Sequence, residues 1–371
     1  MIDVPFAGRA WIDDPDFDLR NHAKSVELHE GAELGDVLRL IERLHVAPYD
    51  TSRPLWSATC FGPISGERSA LYLHFHHSVS DGTGLMRAHQ REPEACEVAS
   101  AAHPTWLDGL RARGKRARGR AGWAADVVRR GFGDGEFRHG AQRQLRAHSR
   151  YLNALARGRH RPLGELTTER RLALARVSVE DFRKAAADRS GRINELFVAL
   201  SAEIVRRSFE HAGAALPRVR VTMPVDVRSE QDTEFANRFV RGLVELPGEA
   251  VLIDDLSPVN SAVARARDVD NAPMGPLVGD LHNLLPSAAR RAFARWAATF
   301  PDLDASNNRW PRTDLNVGGV PVTEVCAFQS ATAVPAGFAL FTYEDHCHLT
   351  LAAHAGLLPD VEYTRRLFRE V

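Results

Sequence analysis

Leu71-Tyr72-Leu73-His74-Phe75-His76-His77-Ser78-Val79-Ser80-Asp81-Gly82-Thr83-Gly84-Leu85 is the stretch around which the rest of the chain can be read. Leu71, Leu73 and Phe75 alternate with Tyr72, His74 and His76, the period of two expected of a half-buried β-strand. The strand should stop at the paired histidines, because Ser78, Ser80, Asp81, Gly82 and Gly84 are turn formers, and a helix is expected from about Leu85. His77 therefore stands at a junction, where side chains are presented into clefts. A tight turn there can bring Asp81 back against the imidazole or its supporting backbone.

The remaining composition narrows the class. A chain of 371 residues with 44% hydrophobic content can hold one large or two ordinary domains with substantial cores. Lys plus Arg and Asp plus Glu are equal at 48 each, so no general attraction for polyanions is implied and no nucleic-acid partner is expected. Cys60, Cys96, Cys326 and Cys347 are scattered without a CxxC pair, which argues against a zinc site or a disulfide framework and for a reducing cytoplasm. The N-terminal residues MIDVPFAGRAWIDDPDFD lack the pattern of a secretion signal, and no run of about 18 apolar residues occurs.

A histidine pair alone is more often structural than catalytic. Metal binding is the rival role, since His74 and His76 share one face of a strand, but no Cys or His cluster elsewhere completes a ligand set. Ser78 and Ser80 lie beside the histidines without a GxSxG setting, which argues against a covalent acyl-enzyme.

His76-His77-Ser78-Val79-Ser80-Asp81-Gly82 resembles the HHxxxDG signature of the bacterial wax ester synthase/diacylglycerol acyltransferase family. That family is part of the CoA-dependent acyltransferases, with chloramphenicol acetyltransferase and the condensation domains of peptide synthetases. Other segments fit in order. Trp11, Asp16-Phe17-Asp18-Leu19 and His22 resemble a W...DFDL..H element, and Arg53-Pro54-Leu55-Trp56 resembles an RPLW element. Asn194-Glu195 resembles an Asn-Asp pair with glutamate in the second place. Pro224-Val225-Asp226-Val227-Arg228 resembles PVSVR with Asp226 for serine, and Ala236-Asn237 resembles Gly-Asn. Asn316-Val317-Gly318-Gly319-Val320-Pro321 resembles NVPGP with both prolines displaced, which predicts a less rigid loop. Family members carry several dozen residues before the tryptophan, so the resemblance implies a short member lacking the first strand and first helix.

The resemblance implies an α/β fold of two chloramphenicol-acetyltransferase-like subdomains, mixed sheets flanked by helices, with an active-site tunnel between them. The N-terminal subdomain would span residues 1–104, a basic helical linker 105–161, and the C-terminal subdomain 162–371. Between Arg111 and Arg150 twelve Lys or Arg face three Asp or Glu. The linker is read either as a solvated helical connection or as a surface meeting anionic lipid headgroups or the phosphates of CoA. In the second half, Arg171–Val177 alternates like a strand, Ser178 looks like a helix cap, and Ile193–Arg207 reads as a helix. Strands are expected at Val219–Val225, Leu243–Pro247, Gly337–Thr342 and His348–Ala353, helices through Ile253–Phe300, and a closing helix from about Asp360.

The implied reaction is transfer of a long acyl chain from acyl-CoA to a long-chain alcohol or diacylglycerol, giving a wax ester or triacylglycerol. By family logic His77 is the general base, and Asp81 braces the fold and the histidine's orientation. His76, Gly82, Asn316 and Arg228 support the motif, Arg228 as the candidate partner of Asp81. Pro54, Leu55, Trp56, Asn194 and Asn237 are assigned to substrate binding. Neither metal nor cofactor is implied, CoA being part of the substrate. The expected setting is cytoplasmic, with peripheral contact at the inner membrane or a lipid droplet as a further expectation. A catalytically impaired lipid-binding relative and a condensation-type enzyme using a carrier-protein donor are the alternatives.

Overall fold

The computed structural model describes residues 2–4, 8–10, 14, 16–64, 68–89, 106–158, 164–226, 228, 237, 239–248, 253–267, 288–289, 292, 298–310, 315–330 and 334–370. Trp11, Cys96, Val227, Ala236 and most of the expected helical stretch between residues 268 and 297 lie outside them. The chain divides into two compact units, one of residues 1–34, 47–142 and 235–237, the other of residues 35–46, 143–234 and 238–371.

In the first unit, β1 (Ile2–Val4) and β2 (Gly8–Ala10) form a small antiparallel pair. Its main sheet begins with β3 (Ala23–Glu27). The chain then passes through α1 (Leu34–His45), which belongs almost wholly to the second unit, before β4 (Trp56–Ile64) and β5 (Arg68–Phe75). The order is β3-β4-β5, with β3 parallel and β5 antiparallel to β4, so the sheet is mixed. A register shift lies between Phe61 and Ile64, within β4. Thr59 and Phe61 are buried on the side that Tyr72 shares. The alternation in β5 is present, but Leu71 and Leu73 are 43% and 45% exposed while Tyr72 and His74 are half-buried.

After β5 comes α2 (Gly82–His89), which starts three residues earlier than the sequence suggests. The reason is a cap: Asp81 Oδ1 accepts the Gly84 N–H at 2.8 Å, which satisfies a first-turn donor that would otherwise be orphaned. The basic stretch forms α3 (Trp106–Gly133) and α4 (Gly135–Ala156). The break falls at Asp134, whose Oδ1 accepts the Phe137 N–H at 2.9 Å. Arg130 pairs with Asp134 at 3.1 Å and lies 4.6 Å over the Phe137 ring.

The second unit holds β6 (Arg170–Ser178), α5 (Val179–Ala187), α6 (Ile193–His211), β7 (Arg218–Asp226), β8 (Phe239–Pro247), α7 (Ser257–Arg267) and β9 (Leu303–Arg309). Its remaining elements are β10 (Asn316–Val317), β11 (Val320–Pro321), β12 (Ala336–Tyr343), β13 (His346–His354) and α8 (Val361–Glu370). A six-stranded mixed sheet runs β6-β13-β12-β9-β7-β8, with β9 parallel to both β12 and β7. Register places Val221, Leu303, Ala336 and Ala353 in one row, and Thr222, Asp304, Gly337 and Ala352 in the next. The first row joins the apolar core with Phe197, Val205, Val259 and Leu367 from α6, α7 and α8. The other face is buried yet polar. There Thr222 Oγ1 donates to Asp304, Asp302 accepts the Arg220 N–H at 2.8 Å, and Thr350 Oγ1 donates to the Ala327 carbonyl at 2.6 Å.

The helices follow from their residues. Ser178 Oγ accepts the Asp181 N–H at 3.0 Å, the expected cap of α5. Thirteen of the nineteen residues of α6 are buried. On it, buried Glu203 is held by Arg206 and Arg207 at 2.8 and 2.6 Å, which compensates a carboxylate that could not otherwise stay ionised there. The α1 helix buries Val37, Leu38, Ile41 and His45, one stripe of its surface. Its Glu42 accepts the Leu172 N–H of β6 at 2.8 Å, and its His45 Nε2 donates to the Gln329 carbonyl at 2.8 Å.

Candidate active site

Three separated pieces of sequence meet in the first unit around the ends of β4 and β5. His22 Nδ1 donates to the Trp56 carbonyl at 2.9 Å, and its ring stacks on Trp56 at 4.7 Å and on Phe17 at 5.2 Å. The His22 carbonyl accepts the Ala58 N–H at 2.8 Å. Leu55, only 2% exposed, presents its carbonyl to the His76 N–H at 3.0 Å. The DFDL..H and RPLW segments are thus the supports on which the histidine pair rests.

Immediately after β5 the chain turns, the Val79 N–H closing onto the His76 carbonyl at 2.8 Å with His77 in the second position of the turn. His77 is exposed, and Asn237 Nδ2 donates to its carbonyl at 2.8 Å, across 160 residues of sequence. His76 Nδ1 accepts the Ser78 N–H at 3.2 Å and lies 2.7 Å from Ser78 Oγ. Asp81 is 7% exposed and terminates the turn as the cap of α2, so Gly82 is the first residue of that helix.

Beneath the turn runs a ladder of rings. His74 packs 5.7 Å from Tyr72 and 4.6 Å from Tyr49, and Tyr49 meets His76 edge-on at 5.3 Å. Burial raises the pKa of the Tyr49 and Tyr72 hydroxyls and, with the adjacent His76, lowers that of His74. Tyr49 Oη is buried with no hydrogen-bond partner among the described residues. Among those residues no third His, Cys, Asp or Glu forms a metal-ligand group with His74 and His76.

Pro54, Leu55, Trp56, His76, His77, Asp81, Gly82 and Asn237 therefore share one unit. Asn194, Arg228 and Asn316 belong to the other. Asn194 lies in the first turn of α6, 8% exposed, and its Oδ1 accepts from Asn307 Nδ2 at 3.2 Å. Arg228, its side chain 2% exposed, pairs with Asp226 at 3.2 Å. Asn316 is exposed and opens a hairpin, paired with Pro321 across Gly318 and Gly319. Those glycines have φ of 60° and 83°, the two positive values that a type I′ turn requires and proline forbids. The exchange of proline for Gly318 thus gives a tight two-residue hairpin.

Sequence reasoning missed Tyr49, and it gave Asn237 to the substrate without foreseeing its bond to the histidine backbone. The signal for Tyr49 was the aromatic and histidine side of β5, which needs a ring to pack on. For Asn237 no local signal exists, because its partner is remote in sequence.

A mixed α/β fold with two mixed sheets, carrying HHxxxDG at a strand–turn–helix junction, defines the CoA-dependent acyltransferase and condensation-domain class. The wax ester synthase/diacylglycerol acyltransferase of Marinobacter aquaeolei superimposes with a TM-score of 0.59 at 17% identity, covering 97% of this chain and 81% of that one. The first condensation domain of the CDA synthetase gives 0.52 at 18% identity, covering 97% and 78%. A family model for the wax ester synthase/diacylglycerol acyltransferase catalytic domain matches residues 2–197, and the chain belongs to that family. A Mycobacterium tuberculosis protein named as a candidate diacylglycerol O-acyltransferase is 27% identical over 328 residues, covering 82% of this chain. The chain spans about 65% of that relative's length.

Proposed function

We propose that this chain is an O-acyltransferase that moves a long-chain acyl group from acyl-CoA to a long-chain alcohol or diacylglycerol, with His77 as general base. The observation that carries the reading is the intact HHxxxDG sequence on a junction held from three sides: by Leu55 beneath His76, by Asn237 on the His77 carbonyl and by Asp81 at the helix cap.

In this mechanism the imidazole of His77 takes the proton of the acceptor hydroxyl as its oxygen attacks the thioester carbonyl. The tetrahedral oxyanion collapses, the carbon–sulfur bond breaks, and the imidazolium returns the proton to the departing CoA thiolate. One imidazole serves both steps because its ring nitrogen can accept a proton and then give it back. Asp81 positions the turn as the cap of α2 and exchanges no proton. Pro54, Leu55 and Trp56, which lead into the strand beside the histidine pair, are assigned to the acyl-donor side.

Thiol release from palmitoyl-CoA, with and without hexadecanol or diacylglycerol, tests the proposal on the wild type and His77→Ala. Release dependent on the acceptor should fall at least about 100-fold in the variant, the usual contribution of a general base. Release that survives the substitution refutes the assignment of His77. No release from either folded protein favours a lipid-binding relative without turnover, and release only from an acyl group loaded on a carrier protein favours condensation-type chemistry.

A further inference from the structure

The α3 helix is 28 residues long, about 42 Å at 1.5 Å per residue, and none of its side chains among the described residues is buried. Six of its residues are glycine, which disfavours a helix that has only itself to rely on. Most helices owe their stability to burying an apolar face. This one has such a face, and among the described residues nothing buries it. Leu107, Leu110, Ala121, Ala125, Val128 and Phe132 recur at intervals that keep them on one stripe. Leu107 is 45%, Leu110 43%, Val128 59% and Phe132 86% exposed. Gly114 and Ala117 fill the stripe between them, and Lys115, Arg118 and Arg129 run along its flank.

We infer that this stripe is a docking surface for an anionic lipid bilayer, with the apolar residues entering the interface and the flanking cations meeting phosphate headgroups. The charge of the helix selects that occupant. Trp106–Gly133 carries eight Lys or Arg against two Asp or Glu. A second copy of the same helix would bring like charges together along the seam, which opposes self-association. A nucleic acid would satisfy the cations but leave Val128 and Phe132 in water. An anionic membrane surface satisfies both at once. The small residues in the middle of the stripe let the helix axis approach the interface closely, while Phe132 projects from the end of the helix. The inference stands on this helix alone and is independent of the reaction proposed above.

The test is co-sedimentation of the whole chain with phosphatidylcholine vesicles, with and without phosphatidylglycerol, at low and high salt. Binding is expected to the anionic vesicles at low salt, to weaken at high salt, and to be at least about tenfold weaker with phosphatidylcholine alone. Lys115→Glu with Arg118→Glu, and separately Val128→Asp with Phe132→Asp, should each weaken binding at least about tenfold. Their far-UV circular dichroism should match wild type, since none of the four is buried. No binding to anionic vesicles, equal binding to both compositions, or wild-type binding by either double variant overturns the inference. A dimer in sedimentation velocity that Val128→Asp with Phe132→Asp dissociates, without vesicle binding by wild type, overturns it in favour of a second copy.

Discussion

Strands β5 and β12 are both eight residues long and similarly apolar, yet every residue of β12 is buried and none of β5 is. The difference lies in their neighbours. The β12 strand is paired on both sides, parallel to β9 and antiparallel to β13, and α6 closes over its apolar side at Phe338 and Leu340. Among the described residues, the β5 strand pairs with β4 alone, at the end of a three-stranded sheet. Strand sequence thus sets the alternation, and sheet position sets how much of it is buried. The fully buried strand lies in the core of the second unit, whereas the candidate catalytic turn follows a strand with no buried residue.

This contrast can be broken most strongly at its buried end. Phe338→Ala, at a ring 1% exposed, should cost about 3–5 kcal/mol in urea unfolding through lost contacts and the cavity left behind. Asp81→Ala should cost about 0.5–2 kcal/mol by removing the cap of α2. Hydrogen exchange should then accelerate at the Gly84 amide while the β12 amides keep their protection. A graded effect comes from acid. Burial lowers the pKa of His74 and His348 from 6.5, so the unfolded chain binds protons more readily than the fold. Stability is therefore full above the unfolded value and declines as pH falls below about 6.5. Urea midpoints should drop between neutral pH and mildly acid pH, and the drop should shrink in His348→Phe. Smallest of all, Leu73→Thr on the exposed side of β5 should change stability by less than about 0.5 kcal/mol; a larger loss would mean that this side is covered in solution.

Much of this was legible in the sequence for local reasons. The histidine pair, its strand, the Ser178 cap, α6, α8 and the strands around Val221, Phe338 and Leu351 follow from periodicity and capping residues that act within a few positions. What stayed hidden depends on distant partners. The β9 segment Leu303-Asp304-Ala305-Ser306-Asn307-Asn308-Arg309 is too polar to read as a central strand, and it becomes one because Thr222 and Arg220 satisfy Asp304 and Asp302 from the next strand. Turn-forming glycines pointed to a helix starting at Leu85, since the capping carboxylate of Asp81 was read as a brace for the histidine. The exposed leucines of β5 could not be foreseen either, because alternation names two faces without saying which is covered.

The hydrogen bond from Asn237 to His77 has a consequence for synthesis. Translation at about 5–20 residues per second separates these two residues, 160 apart, by roughly 10–30 seconds, so the histidine turn leaves the ribosome long before its clamp does. In the same way α1 emerges well ahead of Leu172, the β6 residue whose amide Glu42 accepts. Neither unit is made of one continuous run of chain, and each must hold an unfinished edge open until the later segment arrives.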